Sequence, residues 1–175
     1  LIEDDSTANA FCMPGGKIGV YTGILPVTQD ATGLAVVIGH EVAHAVANHN
    51  GERLSQLLLT ELGGMALSQA LRQKQQETQD LAMMAYGLGA NLGVLLPYSR
   101  RQESEADRIG LILMAQAGYD PSAAVTFWQR MAARGDAAAI EFLSTHPSHA
   151  TRIQDPRGWL PGATGNIQAR GNGGD

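Results

Sequence analysis

One cysteine, Cys12, stands in the 175 residues, so no disulfide forms within the chain. Flanked by Phe11 and Met13, it reads as a small buried hydrophobe rather than a nucleophile. Positive charge is scarce: 12 Lys and Arg against 17 Asp and Glu give a net charge of −5, with no basic run. With aromatics at 5% and none interleaved with basic residues, this balance argues against nucleic acid as a partner. The chain opens on Leu1 rather than Met and has no basic-then-apolar leader. The expectation is a fragment that has lost an N-terminal segment, and any targeting signal with it. The uncharged stretch Leu81 to Pro97 falls short of the about 20 apolar residues of a membrane span, and Gly87, Gly89, Asn91 and Gly93 interrupt it. It is expected to be a buried helix followed by a Gly-rich apolar loop, either a mobile lid over a cleft or a plain connector. There are no repeats. Residues 1–153 are read as one domain, and 154–175, rich in Gly, Asn and Pro, as an extended or disordered tail. The oligomeric state is not legible.

Against this background stands His40-Glu41-Val42-Ala43-His44, inside a proline-free apolar run from Leu34 to Ala47. Residues four apart share a helix face, so His40 and His44 aim both imidazoles at one point, as two ligands of Zn2+ must. Glu41 is rotated off that face. It overhangs the metal position without ligating it, where the general base of a hydrolase belongs.

Around the motif the chain reads mainly as helix. The run ending in Asn9-Ala10-Phe11-Cys12-Met13 and the alternating run Lys17 to Leu25, about Pro14-Gly15-Gly16, suggest a β-hairpin. Thr28 or Asp30 caps the motif helix, which is expected to run to Asn50-Gly51. His49 falls off the ligand face and is expected in solvent. Leu54, Leu57, Leu58, Leu62, Met65, Ala66 and Leu71 recur at helical spacing as a core stripe. Residues 72–80 read as an exposed helix end or loop. Further helices are expected over Tyr98 to Gly118, Ala123 to Arg134 and Asp136 to Leu143, then a loop from Ser144 to His149. The fold class is mainly α with a small β-hairpin (α+β).

A third ligand is needed. Ala47 and Asn50 stand where the extended pattern HExxHxxGxxH demands Gly and His, so that pattern fails. Glu61 is available but sits alone in an apolar stripe. Glu103 is better placed, because Asp107 follows at i+4 on the same face. One carboxylate then ligates while the other holds the far nitrogen of a ligating histidine. Glu105 points elsewhere and is expected to pair with an arginine.

These two segments together, His40-Glu41-Val42-Ala43-His44 and Glu103-Ser104-Glu105-Ala106-Asp107, resemble the M48 metallopeptidases, the Ste24/HtpX/Oma1 group. Asn9-Ala10-Phe11 with its following turn looks like that family's substrate-side hairpin. His146-Pro147 followed by Arg152 looks like its C-terminal segment. The resemblance spans about residues 7–153 and looks nearest to soluble bacterial cell-envelope members of the BepA type, without their repeat domain. It implies a zincin-like domain and one Zn2+ held by His40, His44 and Glu103. It also implies endopeptidase action on misfolded or envelope proteins in the periplasm or cell envelope. By the same resemblance His146 and Arg152 lie near the metal, as oxyanion donors or, for His146, as a resting fourth ligand.

The partners expected are polypeptides, and peripheral membrane or envelope association stays open. The strand carrying Gly19 and Val20 is read as a template that binds substrate by β-addition. A rival function is a metal-stabilised binding or chaperone module without turnover. Glu41 weighs against it, because an inert site needs no carboxylate that ligates nothing. An interfacial membrane module built on Leu81 to Pro97 is a third reading.

Overall fold

The computed structural model describes residues 1–13, 15–134 and 146. Strands β1 (Ala10–Met13) and β2 (Lys17–Val20) form an antiparallel hairpin in which Ala10 faces Val20 and Phe11 faces Gly19. Gly15 and Gly16 turn the chain at φ +88° and +78°, a region that glycine enters without a steric penalty. A short 3-10 turn and helix α1 (Leu25–Thr28) lead into α2 (Ala31–Val46). Asp30 caps α2, its Oδ1 accepting from Gly33 N at 2.8 Å. Such a cap is worth about 1 kcal/mol. Then come α3 (His49–Leu71), α4 (Gln76–Ala90), a π-helical segment Asn91–Leu95, α5 (Leu96–Gln116) and α6 (Ala123–Arg134).

The core is the meeting of α2, α5, α6 and the hairpin. Val36, Val37, Leu111, Met114, Phe127 and Met131 fill it. Val125, Phe127, Trp128 and Met131 recur at helical spacing along α6 and are buried. Arg130 Nε donates to Val27 O at 2.8 Å and ties α6 to α1.

The α2/α5 crossing places the site. Gly39 and Gly110 meet backbone to backbone: a Cβ on Gly39 would lie 2.9 Å from Gly110 O, and one on Gly110 would lie 2.9 Å from Gly39 C. No side chain separates the axes there, so His40 comes against the turns of α5 that carry Asp107 and Glu103.

Four expectations are corrected. The motif helix stops at Val46, not at Asn50-Gly51, because Asn48 takes a left-handed conformation (φ 56°) and starts a new axis. The α3 leucines are not a core stripe: Leu54, Leu58 and Leu62 are exposed, and Gly64 is the one buried residue of α3 beyond His49. Leu81 to Pro97 is neither buried nor a loop. Gln76–Gln116 runs as 41 helical residues, and its most apolar 18-residue window, of mean hydropathy 1.3, lies wholly outside the core. By length and composition this helix is able to cross a membrane. Helix continues through the glycines because each costs only about 1 kcal/mol, and the π segment absorbs the irregularity. Cys12, finally, is half-buried at the cleft rather than in the core, and burial together with the Glu41 carboxylate pushes its thiol pKa up. Helix 136–143, the Ser144 to His149 loop apart from His146, Arg152 and the tail lie outside the described residues.

Candidate metal centre

His40 and His44 project from successive turns of α2, Glu103 projects from α5, and His146 closes the group. One ligand atom from each lies within 4.8 Å of all the others, and all four residues are buried. His40 Nε2 is 3.0 Å from His44 Nε2, 3.2 Å from His146 Nδ1 and 3.2 Å from Glu103 Oε2.

Both ligand-bearing rings are held from behind. His40 donates Nδ1–H to Asp107 Oδ1 at 2.9 Å, which turns Nε2 into the cluster. The Glu103/Asp107 spacing thus serves one ring from two sides. His44 meets His49, Nδ1 to Nδ1, at 3.0 Å. Burial, then the neighbouring His40, pushes His44 down to about 2, so its ring is neutral at pH 7.

The donors fit a cation. Two imidazole nitrogens face each other at 3.0 Å, and when both present lone pairs only a shared cation relieves their repulsion. Add a third imidazole and a carboxylate, and the lone pairs converge on one point. Nitrogen and oxygen donors at this density suit zinc.

Glu41, 2% exposed, stands beside the cluster without belonging to it. Its Oε1 has no hydrogen-bond partner among the described residues, and His146 Nε2 is 3.5 Å away. Glu41 and His44 line a cleft of about 180 Å³ with Asn9, Ala10, Phe11 and Cys12. The strand on the cleft is therefore β1. Gly19 and Val20 lie on β2, behind it: the Phe11 ring covers Gly19, and Ile2 N donates to Val20 O at 2.8 Å.

Tyr21 N bonds Asn9 O, so Asn9 and, by antiparallel alternation, Phe11 face β2. The backbone groups of Ala10 and Cys12 face the cleft edge. There Asn50 Nδ2 holds Cys12 O at 2.9 Å, and Asn9 Oδ1 takes Ala10 N.

Sequence reasoning missed His49. It is 2% exposed, not solvent-facing, because the left-handed turn at Asn48 swings it back beneath His44. In an unbroken helix a residue five positions on would sit about 140° away. Glu105, expected to pair with an arginine, instead places Oε2 3.5 Å from His49 Nε2. Glu61 is exposed on α3 and takes no part. Replacing His49 by Leu is expected to weaken zinc binding by about ten- to a hundredfold in competition with a chelator. His49→Asn, whose Oδ1 stands near the lost Nδ1, should recover most of that affinity. Equal losses in the two variants would reduce His49 to packing.

Residues 1–160 match peptidase family M48. The chain belongs to that family. It is 44% identical over 161 residues to mitochondrial metalloendopeptidase OMA1 of Schizosaccharomyces pombe, covering 91% of this chain and 45% of that protein. Against human metalloendopeptidase OMA1 the identity is 37%, covering 87% and 30%. Against the β-barrel assembly-enhancing protease of Escherichia coli it is 28%, covering 90% and 33%. This M48 chain spans less than half the length of these relatives, and its identity runs higher to the mitochondrial proteins than to the bacterial one. Zinc is the metal of this family, and the donor set here fits it.

Proposed function

We propose that residues 1–153 act as one zinc endopeptidase unit that hydrolyses peptide bonds in unfolded or misassembled polypeptides of a membrane-bounded compartment. The observation that carries this is Glu41. It is a buried carboxylate with an oxygen lacking a hydrogen-bond partner, set between the four-donor cluster and a cleft edged by strand β1. A merely structural metal site has no use for it.

His40, His44 and Glu103 hold the metal, and Asp107 and His49 fix the two rings. Zinc supplies Lewis acidity, polarising the scissile carbonyl and making water acidic enough to attack near neutral pH. Glu41 accepts the proton of the attacking water and returns it to the leaving amine. The Ala10 carbonyl and the Cys12 amide, on the open edge of β1, take an extended substrate as an added strand, and the neighbouring Asn9 and Phe11 frame it. Main-chain pairing of this kind favours unfolded segments over particular sequences. Arg152, by its place in the family segment, is a second oxyanion donor.

The compartment and the substrate class draw support from the relatives' names, one mitochondrial and one tied to β-barrel assembly. Treating the protein with a strong chelator should abolish cleavage of an unfolded protein such as casein, and stoichiometric zinc should restore it. Cleavage that survives complete metal removal would dismiss the zinc mechanism, and zinc-loaded protein that binds casein without cleaving it would leave a binding module.

His146 is read as a resting cap on the metal. Its Nδ1 stands among the ligand atoms, 3.2 Å from both His40 Nε2 and Glu103 Oε2. His146→Ala should then keep zinc and raise basal casein cleavage by freeing the fourth position. Turnover reduced about a hundred- to a thousandfold at unchanged zinc affinity would make it an oxyanion donor instead.

A further inference from the structure

Among the described residues, the cleft beside the metal cluster has one lysine or arginine in its wall, Arg53. It stands in the first turns of α3, and its side chain is exposed. It makes no hydrogen bond and no ion pair among the described residues. Arg130 and Arg134 differ: their guanidinium groups are committed to Val27 O at 2.8 Å and Gly23 O at 3.4 Å. A guanidinium offers its N–H donors as a rigid fork, and a carboxylate is the group that fits it. Arg53 carries that fork at the cleft wall with no acceptor from the protein.

The backbone beneath it, by contrast, is held from three sides. His49 packs under His44 of α2, Nδ1 to Nδ1 at 3.0 Å. Asn50 Nδ2 donates to Cys12 O at 2.9 Å and ties α3 to β1. Gln102 Nε2 donates to Glu52 Oε2 at 2.9 Å and ties α3 to α5. Asn50 and Arg53, three apart, share a helix face, and both line the cleft. The stem of Arg53 therefore starts from a point fixed by the same elements that hold the strand edge and the metal donors. Its head displaces no internal partner when it binds, which keeps the cost of binding low.

We propose that Arg53 determines specificity by pairing with the carboxylate of an acidic substrate side chain close to the scissile bond. The inference rests on the peptidase reading above and adds a substrate preference to it. Main-chain pairing with β1 is indifferent to sequence, but side chains of an added strand alternate in direction, and the groups they meet supply the selection. Those turned toward α3 meet Arg53. An Asp or Glu there gains a charge-assisted pair, whereas a Lys or Arg meets a like charge. The carboxylate at a chain end offers the same chemistry from another source. An internal side chain is favoured because a second hollow, of about 240 Å³ beside Met13, Gly15 and Gly16, shares His44 and Asn50 with the cleft. The groove thus continues past Arg53, and a substrate chain has room to run on.

The test is digestion of a library of unfolded peptides by the zinc-loaded full chain, with cleavage sites read by mass spectrometry. One half of the library is blocked at both ends, and the matched half has free C-termini. In the blocked half the wild type is expected to enrich Asp and Glu about five- to tenfold at one position near the scissile bond, and high salt should shrink that enrichment. Arg53→Ala should flatten the position. Arg53→Glu should enrich Lys and Arg at the same position, a reversal that a damaged fold does not produce. Wild-type cleavage without an acidic preference overturns the proposal, as does an acidic preference that survives Arg53→Glu. Cleavage confined to peptides with free C-termini assigns the carboxylate to the chain end and overturns it too. Zinc-loaded wild type that cleaves neither half fails the peptidase reading itself, and this inference falls with it.

Discussion

Glu41→Gln is expected to bind zinc as the wild type does and to lose cleavage of casein. Glutamine keeps the size of the side chain and its place between the donor cluster and the cleft, but it takes no proton at neutral pH. Glu41 is outside the group of four residues whose ligand atoms converge, so its loss removes no ligand. Positioned proton transfer contributes about 10²–10⁴-fold to a rate. Here the same group is asked to act twice, on the water and on the leaving amine, which puts the loss at the upper end. Zinc content by atomic absorption and initial rates on casein, taken from one preparation, decide it. Full zinc with near-normal rates would remove Glu41 from the chemistry, and lost zinc would make it a ligand.

The second large effect falls on Glu103. It is the one carboxylate among the four convergent residues; the other three are imidazoles. Glu103→Gln preserves shape and an oxygen donor but leaves a dication facing neutral ligands alone, among side chains that are all buried. A charge so poorly compensated in a buried place is costly. Zinc affinity should fall by more than the about hundredfold upper bound typical of outer-shell partners, and casein cleavage with it. Chelator competition measures the first directly. Asp107→Asn, which leaves all four donors in place, should cost less, within the about ten- to hundredfold range. If Glu103→Gln kept wild-type affinity, or lost less than Asp107→Asn, Glu103 would not be a ligand.

The local elements of the site were legible in the sequence because they obey helical periodicity. His40 and His44 four apart, Glu103 and Asp107 four apart, the Asp30 cap and the apolar face of α6 all depend on neighbours within one or two turns. So does the hairpin about Gly15-Gly16. The His49 error has the opposite cause. Its position follows from one left-handed residue, Asn48, and spacing arguments assume that the axis continues. Gly19 and Val20 fit a substrate edge by sequence alone, but which edge of a two-stranded sheet faces the cleft is set by what packs behind it.

Periodicity also cannot say what lies outside an apolar stripe. Leu54, Leu58 and Leu62 repeat as a core stripe would, yet all three are exposed, because spacing sets which residues share a face and not what covers it. The sequence by itself determined the donor residue types, their pairing on two helices and the mainly helical class with its hairpin, all consequences of short-range geometry. Only the tertiary structure decided that α2 and α5 touch at Gly39 and Gly110, which brings residues more than sixty positions apart to 2.9 Å. Only it turned the leucines of α3 and α4 outward. Contact between distant segments depends on how whole faces fit, and no local pattern encodes that.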